Sequence, residues 1–166
     1  MTPTSSDFVL LPLLIDIVYG VFALIFILMF HGGSINFIVM RFEHLTSNNL
    51  KLRQFHRVFF HFYSAFIFIA LIHISEIVIW GFYIFQLKLI PSLVDSIIFA
   101  GSCYTTVGFI PDILPSGWKS LAFFISFTGL FTLAWTTSAM IILTGTYKTA
   151  YKERYGRHTE KSNPPS

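Results

Sequence analysis

The chain has 166 residues, of which 54% are hydrophobic, 18% aromatic and only 11% charged, with a net charge of +3. Soluble domains carry about 25% charged residues on average, so this composition excludes an ordinary water-soluble domain and predicts a small integral membrane protein. The single cysteine, Cys103, excludes an intrachain disulfide.

Residues 1–7 are polar and free of Lys and Arg, which argues against a secretory leader. Phe8 to Phe30 is almost continuously apolar, interrupted by Pro12 and Asp16, and the pattern continues through His31-Gly32-Gly33-Ser34 to Met40. At about 1.5 Å per residue this run exceeds the roughly 30 Å of a hydrocarbon core. Tilt, a kink at the glycine pair or an interfacial N-terminal piece is therefore expected. Residues 1–42 form the first span, and the polar residues 43–56 read as a connector with a short amphipathic start to the next helix. Val58 to Leu87 is a second, aromatic-rich span closed by Lys88. Pro91-Ser92, with Ser92 as N-cap, opens a short apolar run that reaches Thr105-Thr106 after about a dozen residues, too few to cross a bilayer. Such a segment suits a re-entrant helix and loop, because non-helical backbone at membrane depth survives only where protein or a water-filled cavity surrounds it. A last span runs from Ser120 to about Thr146, with Trp118 and Tyr147 at its ends as interfacial aromatics. Residues 57–148 thus form one domain, and 149–166 a polar tail expected to be disordered.

The basic residues orient these spans. Of the eleven Lys and Arg, four (Arg41, Lys51, Arg53, Arg57) lie between spans one and two, five (Lys148, Lys152, Arg154, Arg157, Lys161) lie in the tail, and Lys88 and Lys119 flank the re-entrant segment. Three spans with a loop returning to its own side put the first connector and the tail together. The positive-inside rule places both in the cytoplasm, with the N-terminus and the loop outside. The tail mixes acids with its bases and reads as an anchor to anionic lipid headgroups.

The polar island in the re-entrant segment is Ser102-Cys103-Tyr104-Thr105-Thr106-Val107-Gly108-Phe109. Thr-Thr-Val-Gly-aromatic resembles the selectivity filter of tetrameric potassium channels, in which backbone carbonyls and a threonine hydroxyl replace the hydration shell of the ion. The resemblance extends in chain order. It includes His31 in a glycine-flanked stretch ending at Arg41, His73-Ile74-Ser75-Glu76-Ile77-Val78-Ile79-Trp80, Leu114-Pro115-Ser116-Gly117-Trp118, Gly129, and Ala134-Trp135-Thr136-Thr137. The chain is similar to small bacterial potassium-channel proteins of the two-transmembrane-pore superfamily that carry an additional N-terminal span. What the resemblance implies is an all-α membrane protein with three transmembrane helices plus a re-entrant pore helix and filter loop. Four copies would form a homotetramer in the inner (plasma) membrane. Thr105, Thr106, Val107, Gly108 and Phe109 would line the filter, with potassium held by Thr106, Val107 and Gly108.

The outer mouth departs from that pattern. Where the family reads Gly-Tyr-Gly-Asp, this chain reads Gly108-Phe109-Ile110-Pro111-Asp112. Phe109 loses a hydroxyl, a change of about 1 kcal/mol in hydrogen bonding. Ile110 replaces a glycine expected to be left-handed, which costs a β-branched residue about 1–2 kcal/mol per chain. The backbone is therefore expected to change course after Phe109 and to lose the outermost carbonyl ring. Pro111 brings no N–H to anchor the mouth, and Asp112 supplies an outer carboxylate shifted by one position.

Two further groups remain open from the sequence. Thr128, Thr132 and Thr136 recur every four residues in the last span, either as a hydroxylated cavity wall or as helix-packing residues. Gly129 beside them is either a hinge or a close-approach residue, and Phe123, Phe127 and Phe131 are expected to pack against the pore helix and span two. Asp16, His31, His73 and Glu76 are ionisable groups in apolar surroundings. His31, His73 and Glu76 read as a polar clamp between spans, with a haem or metal site as the rival. Nucleophile–base triads, glycine-rich phosphate loops, zinc spacings and nucleic-acid motifs are absent from the sequence. The expected function is passive cation conduction, potassium first, with no enzymatic activity and no cofactor beyond the permeant monovalent cations; its partners would be identical copies and lipids, not nucleic acid. The alternative is a non-conducting channel-fold subunit with a structural or interaction role.

Overall fold

The computed structural model describes residues 7–52, 54–108 and 113–161. Its elements are α1 (Asp7–Lys51), α2 (Phe55–Gln86), α3 (Leu93–Tyr104) and α4 (Ser120–Lys161), with no strand among the described residues. By length and composition α1, α2 and α4 are membrane spans, and the chain is an all-α, multi-pass membrane protein. Phe22, Met29, Phe37, Phe60, Ile67 and Ile141 stand exposed along them, apolar faces that lipid or further protein would cover. The 12 residues of α3 reach only about 18 Å and cannot cross a bilayer.

The termini of the middle helices follow from local chemistry. α2 ends in a Schellman arrangement: Lys88 takes the left-handed position with φ of 57°, its N–H donates to the Phe85 carbonyl, and Leu89 N–H donates to the Ile84 carbonyl. Ile84 and Leu89 are both buried in one core. α3 starts at Ser92, whose Oγ accepts from Asp95 N–H at 3.3 Å, the cap expected from the sequence. Ser96 Oγ–H returns to the Ser92 carbonyl at 2.8 Å.

The other helices run further than the sequence pattern predicts. The hydrogen bonding of α1 continues through Gly32-Gly33 and most of the expected 43–56 connector, leaving only three residues between Lys51 and Phe55. No Pro or Gly interrupts residues 34–51, and Thr46 and Asn49 are buried, so this stretch has packing to hold it. α4 continues to Lys161 where disorder is expected after residue 149; its Lys, Ala, Glu and Arg are good helix formers.

The chain divides into two compact units. The first, drawn from Met1–Gly32 and Ile72–Ala134, contains all of α3 and a core that includes Ile27, Trp80, Ile84, Phe99, Leu121 and Ile125. Within it Gly81 lets α2 approach α3: a Cβ there would sit 2.6 Å from Ile97 Cα. The second unit, drawn from Gly33–Leu71 and Trp135–Ser166, buries Ile35, Phe42, Val58, Ile69 and Leu143 and stacks Phe62 on Tyr147 at 4.4 Å.

The two kinds of glycine predict opposite effects. Gly81→Ala, against backbone, is expected to destabilise by about 1–3 kcal/mol. Gly33→Ala, with nothing within 4 Å, is expected to stabilise by about 0.5–1 kcal/mol, the helix-propensity gain. Thermal unfolding in detergent, followed by circular dichroism, reads both; equal shifts of the same sign would contradict the close α2–α3 approach.

Candidate functional site

The loop after α3 is built by returning bonds to the last turn of that helix. Thr105 donates from both N–H and Oγ1 to the Gly101 carbonyl, the latter at 2.7 Å. Thr106 N–H donates to the Cys103 carbonyl at 2.9 Å, and Gly108 N–H to the Ser102 carbonyl at 3.3 Å. Thr106 and Gly108 are left-handed, with φ of 59° and 62°, while Val107 between them is not. Glycine accepts that conformation freely; a β-branched threonine does so at a cost of about 1–2 kcal/mol. Thr105, Thr106, Val107 and Gly108 are exposed, Val107 to 65%. Phe109, Ile110, Pro111 and Asp112, including the whole expected outer mouth, lie outside the described residues.

Directly behind the loop is a buried polar network that joins all four helices. Glu76 of α2 has no exposed surface. Its Oε1 accepts from His31 Nδ1–H of α1 at 2.6 Å, and its Oε2 accepts from the Tyr104 hydroxyl at the end of α3. Because the Tyr104 proton goes to Glu76, the phenolic oxygen is an acceptor for its other two neighbours. These are His73 Nδ1–H at 2.7 Å and the Thr132 hydroxyl of α4 at 2.7 Å. His31, Tyr104 and Thr132 are likewise buried. The sequence brings His31, His73 and Glu76 together as candidates, and the structure does assemble them. Their connection differs from simple i,i+3 pairing: His73 Nδ1 is 3.7 Å from Glu76 Oε2, beyond hydrogen-bond reach, and the phenol bridges the gap. Tyr104 is the member the sequence reading missed. Its signal was an aromatic hydroxyl at the end of an apolar helix, a donor that must find a partner when buried.

Asp16 has a separate task. Its Oδ2 accepts from Ser120 N–H at 2.9 Å and from Ser120 Oγ–H at 2.5 Å. α1 thereby supplies a carboxylate to the N-terminus of α4, where free N–H groups and the helix dipole favour negative charge.

The α4 threonines resolve toward packing. Thr128 and Thr132 have no exposed surface, Thr136 is nearly buried in the second unit, and Thr128 Oγ1–H returns to the Phe124 carbonyl at 2.7 Å. The cavity-wall alternative for this stripe is therefore not what the single chain presents. Gly129 is a close-approach residue, since a Cβ there would overlap the Tyr104 carbonyl. Phe123, Phe127 and Phe131, expected against the pore helix, instead stand 64%, 44% and 47% exposed and pack on one another at ring separations of 6.2 and 6.1 Å. With threonines on the inner face and phenylalanines on the outer, α4 turns its small hydroxyl side to the other helices, as close packing in lipid favours. Ser126 Oγ–H, bonded to the Cys103 carbonyl at 2.8 Å, adds a second tie from α4 to the end of α3.

Compared with protein-family models, curated proteins and solved structures, the chain finds no match in any of the three.

The network predicts a graded response to substitution. Glu76→Leu removes the acceptor shared by the His31 Nδ1–H and the Tyr104 hydroxyl and is expected to destabilise by about 2–4 kcal/mol. Tyr83→Phe, which removes only a bond to the Tyr19 carbonyl, is expected to cost about 1 kcal/mol or less. Unfolding in mixed detergent micelles orders the two; a Glu76→Leu variant as stable as the parent would contradict a network that holds the helices.

Proposed function

We propose that this chain is the subunit of a homotetrameric cation channel of the potassium type, with a modified outer mouth. The observation that carries the reading is the positive φ of Thr106 and Gly108 on either side of Val107, whose φ is not positive. The N–H groups of Thr106 and Gly108 both turn back to carbonyls of α3, and across trans peptides the carbonyls of Thr105 and Val107 therefore face the other way. One strand of this kind offers half a coordination shell at most. Four copies around an axis close it, with carbonyls of Thr106, Val107 and Gly108 facing an ion and the Thr106 hydroxyl at the inner entrance.

Three other features support the reading. The exposure of Thr105–Gly108 on the isolated chain is what a filter completed by neighbours requires. α3 aims the negative end of its dipole at the foot of the loop, which favours cations. The basic residues of the first connector and the tail favour a cytoplasmic position for those two segments, with the loop outside. The chain would then sit in the plasma membrane, with lipid around the tetramer and no catalytic chemistry. Potassium would be held by the carbonyls of Thr106, Val107 and Gly108 with the Thr106 hydroxyl, and the sequence Ile110-Pro111 departs from that of the family the chain resembles.

Reconstitution in liposomes tests this. Reversal potentials under potassium and sodium gradients are expected to show a cation conductance that prefers potassium, and native mass spectrometry of the solubilised protein a tetramer. Ile110→Gly is expected to raise the potassium preference several-fold by restoring a residue that tolerates positive φ. No cation flux across a range of lipids and voltages would remove the conducting reading in favour of a channel-fold subunit with a structural role.

A further inference from the structure

Two imidazoles and a carboxylate meet at the centre of the first unit, and they meet through their ligating atoms. We propose that His31, His73 and Glu76, with the Tyr104 oxygen as fourth ligand, form a binding site for one divalent transition-metal ion of the zinc or ferrous type.

The geometry is close to what such an ion needs. The ligand atoms of His31, His73 and Glu76 all lie within 4.8 Å of one another. Tetrahedral ligands at about 2.0–2.2 Å from an ion stand about 3.3–3.6 Å apart. His73 Nδ1 and Glu76 Oε2 are already at 3.7 Å. His31 Nδ1 to Glu76 Oε1 at 2.6 Å and His73 Nδ1 to the Tyr104 oxygen at 2.7 Å must each open by about 1 Å or less, and the Tyr104 oxygen must draw back from Glu76 Oε2 by a comparable distance. Both histidines present the same atom, Nδ1, with ring centroids 5.3 Å apart. An ion entering here exchanges Nδ1–H hydrogen bonds for coordinate bonds, and each neutral imidazole, which carries a single proton, must move it from Nδ1 to Nε2.

The donor set selects the ion. Two nitrogens with two oxygens suit zinc or ferrous iron; calcium and magnesium demand six or more oxygens, and cuprous copper prefers sulfur. The charge balances as well. A divalent ion meets the Glu76 carboxylate and the Tyr104 phenolate, whose proton leaves on binding, so the filled site is neutral within an apolar core. Access lies on the His73 side, where 15% of the side chain is exposed against none for His31 and Glu76. Among the described residues no other grouping of His, Cys, Asp and Glu has this form.

Cobalt(II) absorption reads the site whether or not the chain conducts. Protein purified without a histidine tag, equilibrated with cobalt and freed of excess, is expected to show the intense visible bands of a tetrahedral ion. It should hold one cobalt per chain, displaced by zinc. His73→Ala leaves the His31–Glu76 bond in place and is expected to weaken metal binding about tenfold or more, the scale on which metal sites respond to lost support; His44→Ala is expected to leave it unchanged. Zinc added to the parent protein in weak buffer is expected to release at least one proton per ion bound, a measurement that needs no variant. A parent protein that retains neither cobalt nor zinc, one that binds zinc without releasing a proton, or a His73→Ala variant that binds as tightly as the parent would overturn the site and leave the cluster as a hydrogen-bonded clamp.

Discussion

A carboxylate with no exposed surface, in a chain built for lipid, sets the terms for everything around it. Hydrocarbon is as apolar as a protein core, so burying leucine against leucine does little to hold membrane helices together. Glu76 does what apolar packing cannot. Each of its oxygens takes a donor from a different element, His31 from α1 and Tyr104 from α3, and Tyr104 in turn gathers His73 and Thr132. A rotation of α1, α2 or α3 by a single residue, about 100°, would separate the carboxylate from a donor, and one of α4 would withdraw the Thr132 hydroxyl from Tyr104. The network therefore fixes the rotational phase of four helices at once, and the close contacts at Gly81 and Gly129 fill in around that choice.

The same logic explains why the ends of the helices lie where they do. α4 begins where Asp16 can reach it, with the Ser120 N–H and hydroxyl on one carboxylate oxygen. α2 stops in a left-handed Lys88 that folds Leu89 back under Ile84. α3 stops at Tyr104, whose side chain is committed to Glu76 and whose carbonyl lies where a Gly129 side chain would be. The tail of α3 is thus held on two sides before the loop begins.

What the sequence makes legible is local. Three long apolar spans, the 12-residue helix opened by Ser92, and the stop at Lys88 all follow from length, capping and charge over a few residues. The pattern also puts Thr128, Thr132 and Thr136 on one stripe of α4, but not on a particular side. With phenylalanines filling the opposite stripe, both faces are compatible with lipid or protein, and periodicity supplies no phase. That phase comes from Tyr104, which bonds Thr132, and Ser126, which bonds the Cys103 carbonyl. Contacts of this reach, like Asp16 with Ser120, join residues far apart in the chain, and no short window contains them. The extension of α1 across 43–51 escapes for the opposite reason: polar composition suggests a connector, while the absence of Pro and Gly and the burial of Thr46 and Asn49 decide for helix.

The strained residue ties these observations to the proposed filter. A threonine at φ of 59° persists only where its surroundings over-determine it. Here they do so from one side. Thr105, Thr106 and Gly108 all bond back to carbonyls of Gly101, Cys103 and Ser102, and that turn of α3 is anchored through Tyr104 to Glu76. The cost of the left-handed backbone at Thr106 is thus carried by a network whose members lie on α1, α2 and α4. An ordinary connecting turn would have no need of this: glycine or asparagine at position 106 would relieve the strain without any buried carboxylate behind it. The loop thus presents a β-branched hydroxyl residue in a left-handed conformation on its exposed side, held there from the side of α3.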